Sequence, residues 1–147
     1  MTHRRLRDLS RPSTGACCPF FIVEFKSGSR GGTRWVAQNQ NAASGCHSVN
    51  CLEKLLAYSQ KPRGKDNIID SLVFSCVVEA DQSSLWVHWY EPAAGETFPR
   101  FLSAEIGFYL LKKFEDLRRF HHDIRIVFDY GLNQRLQQIK TVRVRRI

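Results

Sequence analysis

The chain has 147 residues, 43% of them hydrophobic and 24% charged, which suits one domain with a modest core and excludes a wholly disordered chain. Its net charge is +8 and its pI near 9.6, so a partner selected by charge would be a polyanion such as DNA or RNA. The longest apolar runs, such as Phe20 to Val23, are far too short to span a bilayer, and no apolar stretch follows the basic N-terminus as a secretory signal requires. No membrane partner is therefore expected, and the expected location is intracellular, nuclear or cytoplasmic.

Residues 1–18 read as a loose basic leader, with Arg4, Arg5, Arg7 and Arg11 running into a turn-like Pro12 to Gly15. The single domain is expected over 19–147. It opens with a strand over 19–26, short, aromatic and β-branched, which stops at a Gly-rich turn over 27–32. A helix follows over 33–57, capped by Thr33 and weakened near its middle by Gly45, which could divide it into two pieces. Leu52, Leu55 and Leu56 sit at core-facing spacing near its end.

A polar loop over 61–66 leads to a strand over 68–80 and a turn over 81–84. Leu85 to Tyr90 reads as the hairpin partner, with Trp86, His88 and Tyr90 on one face and Leu85, Val87 and Trp89 on the other. A loop at Pro92 to Gly95 precedes a further short strand over 98–102. A helix is then expected from Ser103 or later through about Tyr130, and a final helix or basic tail from Leu132, carrying Arg135, Lys140, Arg143, Arg145 and Arg146. This order predicts an α/β (α+β) domain whose central sheet is flanked by helices. Nothing in it sets the oligomeric state.

Five cysteines, Cys17, Cys18, Cys46, Cys51 and Cys76, are odd in number and irregular in spacing, which argues against a disulfide framework. Cys46, His47 and Cys51 lie close together but form no CxxC pair, and small buried residues are the simpler reading. His121 and His122 beside Asp123 read as a solvated helix face, and His88 as a half-buried hairpin residue.

Glu24 and Lys26 are the residues that point to chemistry. Two apart on a strand, they share a face, while Phe21, Val23 and Phe25 take the other. Burying a carboxylate and an ammonium on an otherwise apolar strand is costly unless they are paired or coordinated. Metal-assisted phosphodiester hydrolysis uses such a pair. The acid holds a divalent ion that activates water, and the lysine steadies the attacking water or the developing charge. An ordinary ion pair on a surface strand has the same spacing. On the following helix Ala37, Gln40, Asn41 and Ser44 share a face, from which Gln40 could reach the pair; an exposed helical amide is the plainer reading of Gln40.

The run Pro19-Phe-Phe-Ile-Val-Glu24-Phe-Lys26 followed by Trp35-Val-Ala-Gln-Asn-Gln40 resembles the PD-(D/E)XK nuclease superfamily. More narrowly it is similar to a large fungal group of unassigned activity, in which a PFFxVEFK strand precedes an A-x-N-Q helix. Ser71-Leu-Val-Phe74, Leu85-Trp-Val-His-Trp89, Leu117-Arg118 and Asp129-Tyr-Gly131 also resemble that group, so the similarity covers about residues 17–140. The resemblance implies a restriction-endonuclease-like core, a central mixed sheet flanked by helices. It implies Glu24 as metal-ligating acid, Lys26 as catalytic lysine, Gln40 as the helix residue of the site, and Mg²⁺ or Mn²⁺ as cofactor. The superfamily places a helix and two strands before this motif, one of them bringing a second acid. Here only the residues before Pro19 stand there, with Asp8 the sole acid and the one candidate for a second metal ligand. The resemblance therefore implies a core incomplete at the N-terminus, truncated or degenerate. The functions that follow are metal-dependent hydrolysis of nucleic acid, or a catalytically inactive nucleic-acid-binding or protein-interaction module, or a fragment without function.

Overall fold

The computed structural model describes residues 19–26, 33–57, 71–93 and 98–140. The basic leader, the turn over 27–32, the loop over 61–66 and the arginines at 143, 145 and 146 lie outside them. The described residues build one sheet in the order β1-β2-β3-β4, where β1 is Phe21–Phe25, β2 Val73–Val78, β3 Gln82–Glu91 and β4 Arg100–Leu110. β1 runs parallel to β2, and β2, β3 and β4 are antiparallel in turn. A parallel pair needs a crossover, and helix α1 (Arg34–Ala57) lies in it. Helix α2 (Phe114–Asp129) follows β4 and continues through a π-helical turn (Tyr130–Arg135) into a short α3 (Leu136–Lys140). The fold is α+β, a mixed sheet flanked by helices.

Side-chain parity assigns the two faces. His88 of β3 packs against Gly45 of α1, whereas Leu85, on the opposite face, joins Cys76, Tyr109 and Val127 of α2 in an apolar cluster. Phe20, Phe21, Phe74, Phe120 and Ile124 pack around that cluster. Phe128 meets the rings of Phe20 and Phe21 edge-on, at 6.0 and 5.4 Å.

The α1 layer is built differently. The residues that α1 buries are Ala37, Asn41, Gly45, Ser48, Val49, Cys51 and Leu52, mostly small or polar, at helical spacing. Thr33 precedes the first turn and its Oγ1 accepts from Val36 N at 3.4 Å. Gly45 does not divide the helix. A Cβ at this position would overlap the His88 ring, so the glycine lets the helix backbone approach the sheet.

Two expectations need correction. The turn predicted over 81–84 is shorter: β3 begins at Gln82, and Glu79 N donates to Gln82 O at 2.9 Å across Ala80 and Asp81. The strand predicted over 98–102 runs instead from Arg100 to Leu110, so the helix expected from Ser103 or later begins at Phe114. Pairing with the full length of β3 overrides local propensity there. Asp116 then supports the helix start, its Oδ2 accepting from Leu110 N at 3.0 Å.

Arg135, a member of the basic tail by sequence, is buried at 2% exposure. It donates from Nη1 to Leu72 O at 2.8 Å and from Nη2 to Pro19 O at 3.3 Å. Arg135→Ala should therefore cost about 2–4 kcal/mol in urea unfolding, since it strands buried carbonyls and opens a void. Gly45→Ala separates two arguments about α1. Helix propensity alone predicts a gain of up to about 1 kcal/mol. The contact with His88 predicts a net loss of about 1–3 kcal/mol, read from the same unfolding curves.

Candidate functional site

Glu24 lies on β1 opposite Val77, and Lys26 follows the strand's last residue. The main chain at Lys26 is still held by β2, because Lys26 N donates to Val78 O at 2.9 Å. Both side chains turn toward α1. Lys26 Nζ donates to Gln40 Oε1, and Ser44 Oγ donates to Glu24 Oε1 at 3.2 Å. Two residues along a strand advance about 6.6 Å. Four residues along a helix advance about 6 Å. The matching rises let an i, i+2 pair on β1 meet an i, i+4 pair on an oppositely directed helix. The result is two polar rungs at the C-terminal end of a parallel strand.

Glu24, Lys26 and Gln40, the trio expected from the sequence, thus come together. Glu24 and Lys26 are half-buried and Gln40 is exposed. Ser44 is the addition. Its sequence signal was its place one turn after Gln40, but the bond to Glu24 required the strand direction to be known. Ser44 occupies one carboxylate oxygen of Glu24; the other takes no hydrogen bond among the described residues. Asp8 lies outside the described residues. Among those described, no group of three or more His, Cys, Asp or Glu side chains gathers at metal-binding distance. Cys46 is half-buried, Cys51 buried and His47 exposed, and burial pushes the Cys46 thiol pKa up, away from the thiolate a metal prefers.

A family model described as "Domain of unknown function (DUF7924)" matches residues 4–142, nearly the whole chain. The chain belongs to this family. No curated protein and no solved structure matches it. Among the described residues of this DUF7924 domain, no helix is long and apolar enough to cross a membrane.

In the DUF7924 domain the two rungs rest on a polar layer between α1 and the sheet. Asn41, Ser48, Ser75, Ser84 and His88 are all buried there. His88, expected to be half-buried, is only 2% exposed and shares a 2.6 Å hydrogen bond between its Nε2 and Ser75 Oγ. Trp86 Nε1 donates to Ser84 Oγ at 2.9 Å, and Ser48 Oγ returns to Ser44 O, also at 2.9 Å. Burial pushes the His88 pKa down from 6.5 to about 4, so the ring is neutral at pH 7. The unfolded chain then binds more protons than the folded one between those values, and stability falls as pH drops from about 6.5 toward 4. Denaturant midpoints measured across this window should fall in the native protein. In His88→Gln, which keeps a partner for Ser75 and cannot titrate, the His88 part of that slope should vanish.

Proposed function

We propose that the DUF7924 domain descends from a PD-(D/E)XK nuclease of the fungal kind and hydrolyses phosphodiester bonds of DNA or RNA with Mg²⁺ or Mn²⁺. The observation that carries this reading is the pair of rungs, in which Lys26 is held by Gln40 and Glu24 by Ser44. In support, Lys26 meets Gln40 and Glu24 meets Ser44 on neighbouring rungs, and one oxygen of Glu24 takes no hydrogen bond among the described residues.

Mg²⁺ keeps several waters and needs only one or two protein carboxylates when a substrate phosphate supplies further ligands. A single open carboxylate oxygen fits an ion that arrives with nucleic acid, and Asp8 is the candidate second ligand. When bound, the ion would lower the pKa of water and offset charge on the phosphate. The protein's own residues have separate tasks. Ser44 holds the Glu24 carboxylate in one orientation. Gln40 holds the Lys26 ammonium at the strand end, where it can orient the attacking water or meet the negative charge that develops on the phosphate.

A second reading rests on a specific observation: Glu24 is the one carboxylate of the rungs. A catalytically inactive nucleic-acid-binding or protein-interaction module needs no second acid, and the +8 charge favours a polyanion. The deciding experiment is cleavage of single- and double-stranded DNA and of RNA with Mg²⁺ or Mn²⁺, comparing the native chain with Lys26→Ala. Metal-dependent cutting that falls by about 100-fold or more in the variant is the expected result. Folded native protein that cuts none of these substrates overturns the enzyme reading. Salt-sensitive binding that survives Glu24→Ala would then mark the inactive module.

A further inference from the structure

A cavity of about 610 Å³ opens on the other face of the sheet, between β2, β3, β4 and the α2 layer. Its size falls in the range of small-molecule sites. Phe74 and Leu85 line it, and parity puts both opposite the face of Glu24. The cavity is therefore separate from the two polar rungs.

Two departures from regular geometry meet at this cavity. The first is a β-bulge. β3 pairs Leu85 with Gly107 and Trp86 with Glu105, which leaves Ile106 without a cross-strand partner and half exposed at the cavity wall. The second is the π-helical turn, from which Tyr130, Asn133 and Gln134 line the opposite side. Bulges and π-turns both carry local costs and recur beside binding sites, where they re-aim side chains.

The chemistry of the lining selects a ligand. Phe74, Tyr109 and Tyr130 supply aromatic surface, and the ring of Phe74 meets that of Tyr130 at 5.5 Å. Among the described residues the charged groups of the lining are Asp123 and Asp129, with no Lys or Arg, in a chain of net charge +8. Tyr109 donates its hydroxyl to Asp123 Oδ2 at 2.7 Å, which orients that carboxylate. Arg119 stacks on the Tyr109 ring at 5.2 Å and is engaged by Phe108 O and Asp116. Aromatic faces and carboxylates together attract a cation with an apolar body. We propose that this cavity binds a small organic ammonium ion, its aromatic or aliphatic body between Ile106, Tyr109 and Tyr130 and its charge toward Asp123 and Asp129.

The test uses the full chain and three probes of similar size: 2-phenylethylamine, 2-phenylethanol and phenylacetate. Methyl NMR shifts of Ile106, Ile126 and Val127 report the site. The amine is expected to move these signals at the lowest concentration. The double variant Asp123→Asn, Asp129→Asn is expected to weaken it by about tenfold or more, the scale of one charge-assisted hydrogen bond. Ile126→Trp, which fills the cavity from an exposed position, should abolish the shifts. The proposal is overturned if the alcohol or the acid binds as well as the amine, if the double variant binds the amine unchanged, or if no probe moves these methyls.

Discussion

The guanidinium of Arg135 holds the beginnings of both parallel strands. Leu72 directly precedes β2 and Pro19 stands two residues before β1, and one buried side chain donates to the carbonyls of both. Phe74 N donates to Phe20 O at 2.8 Å in the same corner. Burying such a charge is expensive, and it is tolerated where the planar donor fork meets several acceptors. Within the described residues β1 pairs with β2 alone, so its position depends on this corner and on the aromatic contacts of Phe20 and Phe21 with Phe128. Gly131 completes the arrangement. A side chain there would collide with the Phe20 ring, and its absence lets the π-turn close on the strand entry. The C-terminal third of the chain thereby sets where Glu24 and Lys26 stand.

The two faces of the sheet use different means of cohesion. Toward α2 the contacts are aromatic and aliphatic, and they draw on the apolar transfer energy that drives most folding. Toward α1, Val49, Leu52, Val73 and Val77 are buried among small residues and hydrogen-bonded hydroxyls, with Asn41 Oδ1 buried and unpartnered among the described residues. The polar part of this layer adds little net stability, because each bond replaces one to water. What it supplies is definition: the polar partners of Glu24 and Lys26 are met only at one setting of helix against strand.

Much of this was legible in the residues themselves. β1 announced itself through aromatic and β-branched residues between a proline and a glycine-rich turn. The faces of Glu24, Lys26 and Gln40 followed from periods of two and of 3.6. Three features were not legible, each for a physical reason. The strand over 103–110 has a local sequence that suits a helix as well, and only pairing with β3 decides it. The burial of Arg135 depends on carbonyls far away in the chain. The continuity of α1 through Gly45 depends on His88 lying beneath it. In each case the deciding partner is non-local, which no window of neighbouring residues contains. The family match spans nearly the whole chain and carries no activity with it, so the chemistry proposed for the rungs rests on their geometry and on the sequence resemblance.

The alternation of β1 has a consequence for how this segment can change over time. Glu24 and Lys26 meet α1 because they are of one parity; Phe21, of the other, packs in the aromatic layer, and Val23 and Phe25 share its face but are exposed. A slip of one position would exchange the two sets completely, sending the charges into the aromatic layer and the phenylalanines against Gln40 and Ser44. Point substitutions in 19–26 are therefore graded in effect, whereas a single inserted or deleted codon between the Pro19 anchor and Lys26 inverts the strand. A change of residue there alters one contact at a time, whereas a change of length alters all of them together.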